Sequence, residues 1–395
     1  IISAEAGKAI TEARGEASRS GDLIRLAAFE GTQLYGDTLP LDANRGTGLD
    51  KLGFTIHQPV GIVAAITPFN YPALLVMHKL APALAAGNAV VLKPARATPL
   101  TALALARCFT DAGLPDGVLS VVTGPGGGSL GDALVTDLRV RKISFTGSTA
   151  IGEHITAIAG IKKLSLELGS SCPVVVLPDA DIELAATAVA SGGYINAGQV
   201  CISVQRVITH PAIGADFLDA LVPKVEAIRT GDPRSDGTTM GTLITAAEAE
   251  RVQGSIRQAV AEGAKLLTGG ERDGAILSPA VVAGVDPRSS LSQDELFGPA
   301  VAVSSAEDWE DAIGQANGTP HGLGAGIFTS DVSGAIRAIR EIDAGTVHIN
   351  WTPLWRADLM PYGGLKASGI GKEGPRSAVA EMTDTKTVIL HGRPW

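Results

Sequence analysis

The chain has 395 residues, more than one ordinary core accommodates, so two or more domains are expected. Hydrophobic residues make up 45% and charged residues 18%, a globular composition that excludes a disordered or fibrous chain. A net charge of −9 argues against a nucleic-acid or anionic-membrane surface, and Pro, Gly, Lys or Asp interrupts every long apolar run, so no segment reads as membrane-spanning.

Residues 1–35 carry Ala, Leu and Ile at helical spacing and read as two helices. The chain opens at Ile1 without Met and without a visible signal peptide, so part of a native N-terminus is expected to be missing. Across 35–66, β-prone ends flank a Gly/Asp/Asn turn, which predicts a hairpin. A two-stranded ribbon is marginal alone, so this hairpin is expected to be an arm against another subunit or domain. Val60–Ile66 is a continuous apolar run, as in a strand buried on both faces. The loop TPFNYP follows, then a helix over 73–86, a strand over 89–92 ending in KPAR, a helix over 99–112 and a strand over 118–122. GPGGGSLG, Gly124–Gly131, is too irregularly spaced for a dinucleotide fingerprint. A strand at 142–145, the turn FTGSTAIG into a helix, and LSLELGSSCPVVVL as strand, turn and strand complete the first series. This βαβαβ rhythm with Gly-rich turns is a doubly wound, nucleotide-binding pattern. A second αβ series starts at Asp181, with helices at 181–196, 212–229, 245–262, 307–317 and 331–341 between six strands. The chain closes on MPYGGLKASGIGKEG, a short helix and TKTVILHG, a late strand suited to pair with the hairpin arm.

Three cysteines, Cys108, Cys172 and Cys201, are too far apart for a disulfide framework or a metal-ligand set, so no metal is expected and a cytoplasmic location fits. Cys108 in an apolar helix and Cys172 before a buried-looking strand read as core. Cys201 lies in GGYINAGQVCISVQR, after a long helical run, among small and amide residues. A loop there suits a partly exposed thiolate, and a buried, inert cysteine fits the same stretch. Two prolines bracket Asn70, which either satisfies its own turn or aims its amide outward. Glu167 ends a strand, a position that by itself is more often a solvated rim charge.

TPFNYP, KPARATPL, FTGSTAIG, LELGSS, GQVC, ELFGP and MPYGGLKASGIGKEG, in this order and spacing, resemble the aldehyde dehydrogenase superfamily of NAD(P)-dependent enzymes over essentially the whole chain. The ELGSS and GQVCISVQR variants resemble its lactaldehyde, glyceraldehyde-phosphate, semialdehyde and phosphonoaldehyde branch. The resemblance implies an α/β protein with a Rossmann-like cofactor domain (1–38 and 59–168, short of its N-terminal part), an α/β catalytic domain (169–370), and an oligomerisation arm of hairpin and C-terminal strand (39–58 and 380–395). It implies Cys201 as nucleophile, since sulfur attacks an aldehyde readily near neutral pH. Asn70 would hold the oxyanion, a role whose loss costs roughly a hundred- to a thousand-fold in rate. Glu167 would be the base that activates water, and Glu373 a second carboxylate near the water path. In the commoner pattern two glycines follow this Glu; here Ser170 replaces the second, which puts the swing of Glu167 in question.

For the cofactor, Lys93 would bond the adenine ribose, Gly147 and Ser148 would cradle pyrophosphate at a helix N-terminus, and Glu295 and Phe297 would hold the nicotinamide ribose and ring. Arg96 stands where many NAD-preferring relatives have Glu, so NADP is the expected cofactor, or NADP and NAD together. Tyr71, Leu75, His78 and Ile195 should line the substrate channel, with Trp355, Arg356 and Tyr362 from the C-terminal loop. Arg356 and His78 suit a carboxylate, phosphate, phosphonate or sulfonate, unless Arg356 only bonds Asp358 or backbone locally. The implied activity is oxidation of a small aldehyde, neutral or anionic, to its acid by a homodimer or homotetramer. A coenzyme A-acylating enzyme and a non-catalytic relative remain the alternatives.

Overall fold

The computed structural model describes residues 1–125 and 129–392. Two sheets, each dominated by parallel strands, and one antiparallel ribbon organise these residues. The first sheet runs Gly369–Ile370, Lys163–Glu167, Val140–Thr146, Ile62–Ile66, Ala89–Lys93, Leu119–Val121. All neighbours pair in parallel except the edge strand Gly369–Ile370. Ile62–Ile66 comes first in the chain and lies inside the sheet, with Val63, Ala64 and Ala65 fully buried. That burial on both faces is why its sequence is unbroken apolar rather than alternating. From it the chain winds out to Ala89–Lys93 and Leu119–Val121, then returns to its other side at Val140–Thr146. The order reverses between Ile62–Ile66 and Val140–Thr146, and the crevice beyond the C-terminal ends of such strands is where open α/β sheets bind ligands. Those two ends lead into Thr67–Asn70 and Gly147–Ser148.

The second sheet runs Lys265–Thr268, Ala280–Ala283, Ala300–Ser305, Val204–Thr209, Cys172–Val176, Gly324–Phe328, Thr346–Ile349, parallel except for the edge strand Lys265–Thr268. Helices Ile182–Tyr194 and Pro211–Glu226 pack their apolar faces on it, and Val189, Phe217 and Leu221 join its main core. The chain then returns to the first sheet: Gly369–Ile370 adds its edge strand, and Val379 and Met382 join the core that holds Val63 and Leu80.

The hairpin expected across 35–66 is lopsided. Its first arm is only Thr38–Leu39, because Pro40 and the left-handed Gly46 and Gly48 turn the chain away. The long partner of Lys51–Pro59 is the C-terminal strand Thr383–His391, antiparallel from Lys51↔His391 to Pro59↔Thr383. Residues 393–395 of the expected arm lie outside the described residues. No helix of the described residues is long and apolar enough to cross a membrane.

Candidate active site

The loop after Ile62–Ile66 and the loop before Val204–Thr209 meet between the two sheets. Helix Ile182–Tyr194 ends in a turn in which Asn196, Ala197 and Gly198 are all left-handed, with φ of 52°, 54° and 70°. Only glycine fits the third position, since a Cβ on Gly198 would lie 2.1 Å from the Gly298 carbonyl oxygen. Gln199 staples the turn: its Nε2 donates to the Asn196 carbonyl at 2.9 Å, and its Oε1 accepts the Ile244 N–H at 2.9 Å. Cys201 emerges from this turn half-buried, its Sγ 3.0 Å from the Tyr362 hydroxyl. Burial pushes its thiol up to about 12; the Tyr362 hydrogen bond pulls down, and the carboxylates of Glu295 and Glu167 push further up. Asn70, buried, donates its Nδ2 to the Gln199 carbonyl at 2.8 Å, so one of its two amide hydrogens is spent on the cysteine loop.

Cys172 is buried, its Sγ 3.5 Å from the Cys201 carbonyl oxygen, as a core thiol. Cys108, expected in the core, is exposed instead. Its helix Pro99–Asp111 buries only Thr101 and Ala102, leaving the C-terminal turns on the surface.

Glu167 is buried at the end of its strand, and its Oε2 has no hydrogen-bond partner among the described residues. Burial raises its carboxyl well above the ordinary value, and the charge of Glu373 adds to the rise. Glu373 accepts from Lys79 Nζ at 3.2 Å and from both terminal nitrogens of Arg356, at 3.3 and 3.2 Å. Burial alone would raise it too, but Lys79, His78 and Arg356 outweigh burial and hold it at about 2. Two neighbouring carboxyls are thus driven apart, Glu167 upward and Glu373 downward, the arrangement that divides acid and base duties. Ser170 turns away from Glu167: its N–H donates to Glu295 at 3.1 Å and its hydroxyl meets Cys172 Sγ at 3.2 Å. Gly169 keeps its glycine because a Cβ there would stand 2.8 Å from Glu295 Oε2.

A cavity of about 960 Å³ opens over the C-terminal ends of the first sheet. All six residues expected at a cofactor line it: Lys93, Arg96, Gly147, Ser148, Glu295 and Phe297. Their chemistry fits a dinucleotide phosphate. Ser148 caps helix Thr149–Ile158 without a side-chain hydrogen bond, so the positive end of that helix faces the cavity. Lys93 meets only the carbonyl oxygens of Pro94 and Gly124, at 3.5 and 3.4 Å, and Arg96 is exposed without an ion pair among the described residues. Phe297 takes a left-handed φ of 51° and stacks edge-on against Phe69, centroids 5.9 Å apart. Of the glycine loop 124–131, Gly131 borders the cavity, and residues 126–128 lie outside the described residues.

A second cavity, about 370 Å³, approaches from the other side. The two share Asn70, Thr146 and Cys201, so the thiol sits where they join. Tyr71, Leu75, Ile195, Trp355, Arg356 and Tyr362 line the second cavity as expected. His78 does not. It is buried behind the wall, its Nδ1 3.4 Å from Arg356 and its Nε2 3.4 Å from Asp358. Burial and the Arg356 charge both lower its pKa, and its place behind Arg356 keeps it out of the substrate cavity. The local partner imagined for Arg356 is also absent, because Asp358 is taken by Arg19, at 2.9 and 2.8 Å. Arg356 instead lies over the Tyr362 ring at 3.8 Å and keeps an unpartnered, buried Nε. Sequence reasoning missed Arg19 and Lys79. Arg19 lines the second cavity and donates to the Arg356 carbonyl at 2.9 Å. Its signal was a cation on the same helical face as Leu23 and Ala27, both buried.

The sequence matches the aldehyde dehydrogenase family over residues 1–388. It is 44% identical over 391 residues to 3-sulfolactaldehyde dehydrogenase from Priestia aryabhattai, covering 99% of this chain and 82% of that protein. Lactaldehyde dehydrogenase from Methanocaldococcus jannaschii is 40% identical over 394 residues, covering 99% and 83%. Among solved structures, NADP-dependent glyceraldehyde-3-phosphate dehydrogenase from Bacillus halodurans complexed with NADP superposes with a TM-score of 0.97 at 36% identity, covering 99% of this chain and 82% of that one. Glyceraldehyde-3-phosphate dehydrogenase from Methanocaldococcus jannaschii complexed with NADP gives 0.93 at 40% identity, covering 98% and 83%.

Proposed function

The chain belongs to the aldehyde dehydrogenase family, and on that premise we propose that it oxidises a small anionic aldehyde to its carboxylic acid with NADP, or NAD, through Cys201. The observation that carries this reading is the position of Cys201, with Asn70, at the junction of a dinucleotide-sized and a small-substrate cavity. The Cys201 thiol gives up its proton to water and its sulfur adds to the aldehyde carbon. The oxyanion so formed takes the second N–H of Asn70. The nicotinamide cofactor, when bound, accepts the hydride that leaves this carbon. The thioester left on Cys201 is hydrolysed by a water whose proton passes to Glu167. Glu167 takes that proton in its ionised form, which burial opposes and Arg356 and Lys79 favour.

The anionic substrate class rests on Arg19 and Arg356, the cations at the second cavity. The names of the relatives, a sulfonated and a phosphorylated aldehyde among their substrates, agree with it. NADP preference rests on Arg96, a guanidinium without a carboxylate partner at the adenosine end. We assign the first sheet to cofactor binding, the second to catalysis, and the ribbon to a homodimer or homotetramer contact; its exposed Leu52, Ile56, Ile389 and Leu390 support the last. Three free thiols suit a reducing cytoplasm. Transfer of the acyl group to coenzyme A would not need Glu167.

The test is reduced-cofactor formation with NADP and NAD, with and without added coenzyme A, against 3-sulfolactaldehyde, glyceraldehyde 3-phosphate, lactaldehyde and propionaldehyde, with the product identified. The reading expects the free acid, fastest from a charged aldehyde with NADP. A preference for propionaldehyde would remove the anion site, and acyl-coenzyme A as the product would remove the role of Glu167.

A further inference from the structure

The residues GKAITEARGE, Gly7–Glu16, have no part in the chemistry above, yet they place three charged side chains against the reaction centre. Lys8, Glu12 and Glu16 follow one another at intervals of four, the last two on one face of helix Ile10–Gly31. Glu16 Oε1 accepts the N–H groups of Ala73 and Leu74, at 2.8 and 3.1 Å, where the helix after Asn70 begins. Lys8 is fully buried, ion-paired with Glu16, and stands 3.4 Å over the Tyr71 ring. Glu12 reaches the other loop: its two carboxylate oxygens lie 3.2 and 3.1 Å from the N–H of Asn196. Asn196 is the first residue of the left-handed turn that ends in Cys201, and two of its three residues are not glycine. Such conformations cost on the order of 1 kcal/mol or more each and persist only where the surroundings hold them. Asn196 also donates its side-chain amide to the Asn70 carbonyl at 3.1 Å, and Asn70 returns a hydrogen bond to Gln199. The nucleophile turn and the oxyanion loop are therefore stitched together at Asn196, and Glu12 holds that stitch from behind.

We propose that Glu12 is a positioning residue: by accepting the Asn196 N–H it fixes the left-handed turn and so sets the Cys201 sulfur against Asn70. The inference rests on the reading of Cys201 as nucleophile. Glu12 touches neither cavity, so its effect belongs to the rate of the first chemical turnover and not to the binding of either substrate.

The experiment is stopped-flow measurement of the first turnover of NADP reduction, read as rate constant and amplitude, on the full chain. Glu12→Ala is expected to slow the rate constant roughly 10- to 100-fold, the scale for reacting groups misplaced by about 1 Å. Amplitude and the KM for NADP stay within about twofold. Glu12→Gln keeps an acceptor oxygen at the same reach and is expected to recover the rate to within about threefold. A simple stabilising role would instead lower the amplitude at an unchanged rate constant, and that result overturns the inference. So does an equal loss in Glu12→Gln and Glu12→Ala. Should Glu12→Ala not fold, Glu12→Asp withdraws the acceptor by about one C–C bond. It must show the slowed rate constant, and a wild-type rate there overturns the inference as well. A turnover retained by Cys201→Ala removes the nucleophile reading and this inference with it. A turnover lost there but normal in Glu12→Ala removes this inference alone.

Discussion

Replacing Arg356 by Met should cost the enzyme its preference for charged aldehydes. The side chain is 9% exposed, spends two N–H groups on Glu373 and lines the second cavity. Met keeps the length of the stem and its packing over Tyr362 while deleting the charge. A charge-assisted hydrogen bond to a substrate anion contributes about 1.5–3 kcal/mol, so kcat/KM on such a substrate should fall roughly 10- to 150-fold. A second effect runs in parallel. Glu373 would lose one of its cations and its pKa would climb from about 2, while Glu167 would lose the Arg356 charge that favours its ionised form. That change touches the hydrolytic base and not the substrate anion, so it alters turnover of charged and neutral aldehydes alike. The ratio of kcat/KM for glyceraldehyde 3-phosphate over propionaldehyde cancels it and isolates the anion contact. Steady-state kinetics of both proteins on both aldehydes supplies the four constants. Equal losses on the two substrates, leaving the ratio unchanged, would refute the anion-binding role of Arg356.

Exchanging Arg96 for Glu should move the NADP-to-NAD ratio of kcat/KM at least about tenfold toward NAD, because it places a carboxylate against a 2′-phosphate and offers an acceptor to a 2′-hydroxyl; an unmoved ratio contradicts the cofactor assignment. With its thiol pushed up to about 12, Cys201 of the cofactor-free enzyme is almost wholly protonated at neutral pH, so its alkylation by iodoacetamide should quicken about tenfold per unit between pH 7 and 9. A plateau inside that range, followed on the Cys201 peptide to separate it from exposed Cys108, would mean that the resting thiol is already activated. Gly198→Ala forces a Cβ to within 2.1 Å of the Gly298 carbonyl at a φ of 70°, and should lower Tm by several degrees while impairing turnover. A fully stable, fully active variant would show that the turn relaxes freely.

Much of the frame was legible because it obeys local rules. The apolar run at Val60–Ile66 and the prolines around Asn70 each act within a few residues of themselves. The parts that escaped depend on distant contacts. Helix Leu74–Ala85 is buried at every position from Leu74 to Ala83, so its pattern has no polar face to show which side chain meets the cavity. His78 was placed there for that reason, and it lies behind Arg356 instead. The partners of Arg356, His78 and Glu373, come from remote parts of the chain and from across a loop, and no spacing rule joins them. Gly369–Ile370 is too short to carry a strand pattern, yet it edges the first sheet by pairing with Lys163–Glu167. The inward charges of helix Ile10–Gly31 give no signal of their own, because their partners at Ala73, Leu74 and Asn196 lie far along the chain.

The central claim is that the aldehyde carbon becomes an acyl group on Cys201 which Glu167 helps to release. Glu167→Gln removes the base while leaving the sulfur, so incubation with NADP and the preferred aldehyde should yield about one reduced cofactor per active site and then stop. Peptide mass spectrometry of the quenched protein should find the acyl group on Cys201 alone. A single turnover that leaves Cys201 unmodified, or acyl label on Cys172 or Cys108, would contradict the account.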